Sequence, residues 1–140
     1  MDIQELMIGN NILNEKGETI EITPEILMDI HLGYIKAYPI LLTEELLLSL
    51  MFEKEQDKEC SNDVFYMFLK IGDNKYGGLF SKKRNSFHSF LFKEGIQVSF
   101  SKSSSETKES SYNLISPLKI NHLHVLQNIL KVIAKININL

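Results

Sequence analysis

The sequence predicts an α+β domain in which antiparallel β-sheet, an N-terminal hairpin plus a four-stranded meander, packs with about three helices. Three observations predict it. Between residues 64 and 100, short stretches rich in aromatic and β-branched side chains alternate with polar, Gly- and Asn-containing connections, the texture of consecutive antiparallel strands. Two Thr-led acidic tripeptides, Thr23-Pro24-Glu25 and Thr43-Glu44-Glu45, stand before apolar stretches as helix starts do. From Leu123 onward the apolar residues recur with a helical period.

The hairpin comes first. Met7 to Leu13 and Glu18 to Ile22 flank the polar connection Asn14-Glu15-Lys16-Gly17, whose closing glycine suits a tight turn. A helix follows from Thr23 to about Leu32, with Pro24 in a first turn where its missing N–H is harmless and Gly33 at the C′ position. Tyr34 to Leu42 reads as extended, at best an edge strand, because Pro39 cannot donate to a ladder. Thr43 caps a second helix running to about Phe52, and the polar run Glu53 to Asp63 ends it.

Val64 to Lys70 is apolar on both alternating faces, as in a central strand covered on both sides. Lys75 to Phe80, Phe87 to Phe92 and Ile96 to Phe100 complete the meander. Gly77-Gly78 marks a bulge or a close backbone approach. Residues 101–111, SKSSSETKESS, have little to bury and read as a mobile loop. The last helix is expected to take Asn121 as N-cap. Leu123, Val125, Leu126, Ile129, Leu130, Val132, Ile133 and Ile136 then fill its apolar face, which must pack on sheet or on a second chain. His124, Gln127, Asn128, Lys131 and Lys135 fall on the opposite side.

A chain of 140 residues, 44% hydrophobic, suffices for one core, so residues 1–140 read as a single domain. The lone Cys60 excludes an intramolecular disulfide and a multi-cysteine metal site. With no signal-peptide pattern in MDIQEL and no long apolar run, the expectation is a cytoplasmic protein with no membrane partner. Net charge is −3, yet residues 1–70 hold 14 Asp/Glu against 5 Lys, a net of −9, and residues 71–140 hold 4 against 10, a net of +6. Such blocks form opposed faces only if the fold keeps them apart.

Catalytic signatures are missing, so neither a catalytic residue nor a cofactor is expected. His122 and His124, two apart, would lie about 200° from each other on a helix and could share an ion only if that segment were extended. No metal site is expected, and His31, His88, His122 and His124 read as surface or cap residues. Asp29 and His31 fail as a couple for the same reason. Glu44 and Glu45 are explained by a helix N-terminus, and the serines of residues 101–111 lack a nucleophile-elbow context. Lys82-Lys83-Arg84 at a hairpin tip is the one cationic cluster, with Lys75, Lys93 and Lys102 near in sequence. Phe80, Phe87, Phe90 and Phe92 interleave with it. Cations plus aromatics would suit single-stranded nucleic acid, while the same phenylalanines would also serve as the inner face of a sheet.

Three segments in order resemble a family of small uncharacterised proteins of phages and mobile elements of Bacteroidetes. Leu6-Met7-Ile8-Gly9-Asn10 is similar to its L-R-I-G-N start, Pro39-Ile40-Leu41-Leu42-Thr43-Glu44-Glu45 to its P-I-P-L-T-E-E segment, and His124-Val125-Leu126-Gln127-Asn128 to its H-Q-L-Q-N. Met7 replaces the arginine, Leu41 the second proline, and Ala134-Lys135-Ile136 stands where the family often has T-G-x-E-L. The resemblance implies a phage origin and no particular activity. A small phage-borne domain without catalytic residues is expected to bind something: a host protein such as a nuclease of antiviral defence, met by an acidic face and by Glu44, Glu45, His124, Gln127 and Asn128. The alternative is a nucleic-acid-binding accessory module using Lys82, Lys83 and Arg84. A third class would hold a small ligand at His124, Gln127 and Asn128, and a homodimer seam on the last helix is compatible with all three.

Overall fold

The computed structural model describes residues 5–55, 61–88, 90–94, 112–116 and 119–140, and shows an α+β fold. The segment read as a mobile loop, the strand expected over Ile96 to Phe100, Cys60 and Lys102 lie outside the described residues. Contacts divide the chain into two compact units, one formed by residues 1–42 and 121–140, the other by residues 43–120.

The first unit opens with the expected hairpin. Strands β1 (Asn11–Leu13) and β2 (Thr19–Glu21) pair antiparallel in the register Ile12 to Ile20. The Asn14 side chain organises their turn, its Oδ1 accepting from the backbone N–H of Lys16 at 2.9 Å and of Glu18 at 3.0 Å. Gly17 closes it at φ +80°, a left-handed conformation that glycine adopts without a Cβ penalty. Helix α1 (Pro24–His31) begins as the sequence predicts, Thr23 Oγ1 accepting from Ile26 N at 3.2 Å. It ends at Leu32 and Gly33, the latter at φ +82°. The inner side of α1 closes a core of Leu6, Ile12, Ile22 and Ile30, extended by partly buried Ile20, Ile26, Leu27 and Ile35.

Tyr34 to Leu42 forms no strand. It makes isolated antiparallel bridges, Tyr38 with Leu13 and Leu41 with His122. The second bridge brackets the point where the chain leaves the unit and returns to it, with Leu42 N donating to Asn121 O at 3.0 Å and Leu123 N to Ile40 O at 2.8 Å. The last helix along the chain is α3 (Leu123–Ile133). Its N-cap is His122, not Asn121, because Asn121 is still engaged in that extended pairing.

In the second unit, helix α2 (Glu44–Ser49) starts with Thr43 Oγ1 accepting from Leu46 N at 3.1 Å. It stops before the expected Phe52. Met51 turns left-handed at φ +77° and Phe52 N donates back to Leu47 O at 3.0 Å, which delivers the Phe52 ring to the core. The six-stranded sheet runs β3 (Glu53–Glu55), β4 (Val64–Ile71), β5 (Asn74–Ser81), β7 (Phe90–Glu94) and β8 (Tyr112–Ser116), with β6 (Ser86–Phe87) also pairing with β5. Every named pairing is antiparallel. The third meander strand is thus two short ones, and β3 arises inside the polar run read as ending the second helix. Its carboxylates meet cations on the sheet, Glu53 with Lys70 at 3.0 Å and Glu55 with Lys75 at 2.7 Å, a charged edge of the kind that resists edge-to-edge pairing.

Phe87 is the hub of this unit's core, edge-on to Phe80 at 5.3 Å and to Phe90 at 5.4 Å and tilted against Phe52 at 6.2 Å. Such pairs add about 0.5–1.5 kcal/mol each beyond area burial. β4 buries Phe65, Met67 and Leu69 on one alternation and Phe68 on the other, as its doubly apolar sequence predicts.

The two charge blocks do not survive folding as two halves. The first unit holds seven Asp/Glu against four Lys, and the second holds eleven of each sign.

Candidate functional site

The residues grouped from sequence go to three places. Glu44 lies in the first turn of α2 and pairs with Lys54 at 3.3 Å and Lys82 at 3.5 Å, so one member of the basic cluster is bound to one member of the acidic pair. Glu45 is exposed, as are Lys83 and Arg84 at the hairpin tip. Among the described residues neither Lys83 nor Arg84 has an ion pair. Phe80, Phe87 and Phe90, however, are fully buried. They cannot stack on bases, and the stacking platform expected beside the cations is not formed by these rings.

His124, Gln127 and Asn128 correct the helical projection more sharply. His124 is 0% and Gln127 5% exposed, while Val132, assigned to the apolar face, is 68% exposed. For Gln127 and Asn128 the reason is hydrogen bonding, mostly with residues more than a hundred positions away. Asn11 N donates to Gln127 Oε1 at 2.9 Å, and Gln127 Nε2 donates to Asn11 Oδ1 at 2.8 Å and to Ile138 O at 2.7 Å. Leu140 N also donates to Asn11 Oδ1. Asn128 accepts from Asn10 Nδ2 at 2.8 Å and donates to Glu5 O at 2.6 Å. These amides tie α3 to the hairpin, the N-terminal segment and the C-terminal tail, and satisfied polar groups carry no burial penalty. The dimple beside Asn10 and Gln127 holds about 10 Å³, room for about one water. Among the described residues that dimple, lined by Gln127 but not by His124 or Asn128, has no room for a small ligand.

The two histidines do meet. His122, in the extended N-cap conformation (φ −122°, ψ 143°), stacks its ring on that of His124 at 5.8 Å and 13°. His124 Nε2 lies 3.3 Å from Glu5 Oε1, and its Nδ1 is buried with no partner. Among the described residues no three His, Cys, Asp or Glu side chains are arranged to hold a metal ion. Burial pushes His124 below its usual value of 6.5, against the opposing pull of Glu5. Burial also lowers His122, and the neighbouring His124 adds to the effect. Both rings stand at the positive end of α3, which disfavours cations there too.

The sign of the pH effect follows. With His122 and His124 depressed, this pair binds fewer protons in the folded chain than in the unfolded chain below pH 6.5. Stability from this pair is therefore full above about pH 6.5 and declines on acidification below it. One fully shifted histidine gives a slope of at most about 1.4 kcal/mol per pH unit. Urea midpoints followed by circular dichroism should fall between about pH 7 and pH 5, and His124→Phe should flatten that fall. A wild-type midpoint constant over this range would refute the assignment.

Sequence reading missed one surface. On α1, Glu25, Met28, Asp29 and Leu32 follow the i, i+3, i+4, i+7 spacing of a single face. Met28 is 58% and Leu32 56% exposed, and Tyr34, just past Gly33, is 75% exposed. Glu21 and Glu25 are also exposed. The result is an apolar stripe with an acidic rim. Its signal was present in the spacing of the sequence, but only the inward turn of Ile26, Leu27 and Ile30 shows which side of α1 faces out. Among the described residues no helix is long and apolar enough to cross a membrane. Comparison of the chain with protein-family profiles, curated proteins and solved structures finds no match.

Proposed function

We propose that this protein is a non-catalytic binder that engages a basic surface of a host protein in the bacterial cytoplasm through the outer stripe of α1. The observation that carries the reading is the exposure of Met28, Leu32 and Tyr34 beside Glu21, Glu25 and Asp29. Large apolar side chains grouped on a surface favour association, at about 25 cal/mol per Å² buried. Carboxylates around them select a cationic counterpart and speed encounter. A nucleic-acid channel of a defence nuclease has that character, since carboxylates can occupy positions that phosphates would take. The resemblance to phage-borne proteins supports the host setting.

The test is retention of host proteins on immobilised wild-type chain and on two variants, Met28→Gln/Tyr34→Ser and Lys83→Ala/Arg84→Ala. We expect a partner held by the wild type and by the basic-tip variant, weakened about tenfold or more by the stripe variant, and released as salt rises from about 50 to about 300 mM. Retention that ignores the stripe variant overturns the proposal. Loss only in the basic-tip variant, with nucleic acid recovered, would replace it by the nucleic-acid reading.

A further inference from the structure

The first unit carries a second exposed apolar stripe, of opposite charge. On the outer side of the last turn of α3, Val132 is 68% and Ile133 37% exposed, with exposed Lys131 in the same turn and exposed Lys135 just past the C-cap Ala134. This side is left outward because the inward side of α3 is taken by Leu123, His124, Leu126, Gln127 and Leu130. Among the described residues Lys131, Lys135, Glu25 and Asp29 have no ion pair. One compact unit therefore displays an acidic apolar stripe on α1 and a basic apolar stripe on α3.

We infer that the α3 stripe of one copy covers the α1 stripe of a second copy, so that the protein masks its own binding surface by weak self-association. The inference rests on the reading of the α1 stripe as a binding surface and adds its regulation. Charge complementarity names the occupant. Glu25 and Asp29 repel another α1 and attract Lys131 and Lys135, so α1 meets α3 rather than its own equivalent. Burying Met28, Leu32 and Tyr34 against Val132 and Ile133 removes exposed apolar side chains of both stripes together. Stable interfaces use about 20–30 residues a side. Stripes of this size fall short of that, so the association is weak and concentration-dependent. A basic partner protein competes for α1, and its binding releases the second copy.

Sedimentation equilibrium of the full chain from about 1 to about 200 µM at low salt tests this. The wild-type mass should rise with concentration, and high salt should suppress the rise. Glu25→Lys/Asp29→Lys and Lys131→Glu/Lys135→Glu should each stay monomeric, because each places like charges on both stripes. An equimolar mixture of the two should associate again, since every stripe then finds its opposite. Val132→Ser, which keeps all charges, should weaken association about fivefold or more. Circular dichroism checks that each variant is folded. A wild type monomeric throughout overturns the inference, as do charge-reversed variants that associate like the wild type or a mixture that fails to recover. A monomeric wild type that still retains a host partner defeats the self-masking alone. A self-associating chain with no partner defeats the proposed function alone.

Discussion

Replacing Gly77 with alanine is expected to destabilise the six-stranded sheet severely. In an ordinary strand position the change would be neutral or helpful, because alanine loses less backbone entropy than glycine. Here a Cβ would overlap the carbonyl oxygen of Met67 and stand 2.9 Å from both the Met67 carbonyl carbon and Phe68 Cα. Those atoms are backbone of β4, held in register against Gly77 as part of an eight-pair ladder, while Leu91 of β7 fixes Gly77 from the other side. Neither neighbour can retreat without breaking a pairing. A cost of at least about 3 kcal/mol follows, above the usual 1–3 kcal/mol of core overpacking. That is a large part of the 5–15 kcal/mol that typically holds a domain together. Gly33→Ala is the control. Gly33 sits at φ +82° with nothing within 4 Å of the added carbon, so only the left-handed penalty of about 1–2 kcal/mol applies. Urea unfolding followed by circular dichroism should rank Gly77→Ala far below Gly33→Ala. Equal midpoints would mean that β4 and β5 do not approach as described.

That close approach was legible in the sequence, since a Gly-Gly pair within an aromatic strand needs a reason. So were the features set by neighbours in the chain. Thr23 and Thr43 cap their helices, Gly33 terminates α1, and Asn14 to Gly17 turn the first hairpin. What sequence did not reveal was decided by distant partners. Edge strand β3 is three charged residues, and only its ladder with β4 and the lysines Lys70 and Lys75 make it a strand. The rule that i, i+2 side chains diverge holds for helical residues, and His122 is the extended cap of the helix, so its ring meets that of His124.

Topology also explains why the charge blocks misled. The chain leaves the first unit at Leu42 and returns at Asn121, where the two backbones are hydrogen-bonded. The acidic N-terminal residues thereby share a unit with Lys131 and Lys135, and Glu44 pairs with Lys82. The acidity that matters is narrower, confined to α1 and the strand before it. The stripe there could be drawn on a helical wheel, but choosing which side faces out required the core that Ile12 and Ile22 form with Ile30.

Gln127 offers the sharpest test of the buried amide network, because of two substitutions of similar shape only one should have a deficit that changes with pH. Gln127→Leu removes three hydrogen bonds and leaves Asn11 N and Ile138 O without those partners. Each buried group left unsatisfied costs about 1–3 kcal/mol, so a loss of about 2–4 kcal/mol is expected at every pH. Gln127→Glu keeps the acceptor for Asn11 N but replaces a donor with a carboxylate oxygen facing Asn11 Oδ1 and Ile138 O. At neutral pH the charge is buried against two acceptors, and the loss should match or exceed that of leucine. Protonation restores one donor. The folded-state pKa of the new carboxyl must then lie above its unfolded value, so its deficit is smallest in acid and grows as pH rises through the folded pKa. The wild type moves the other way below pH 6.5, because His122 and His124 resist protonation in the fold. Stability curves of wild type and Gln127→Glu should therefore converge on acidification, while Gln127→Leu runs parallel to the wild type. Were the glutamate variant to run parallel as well, Gln127 could not be donating to Asn11 and Ile138, and the network joining α3 to the hairpin would have to be redrawn.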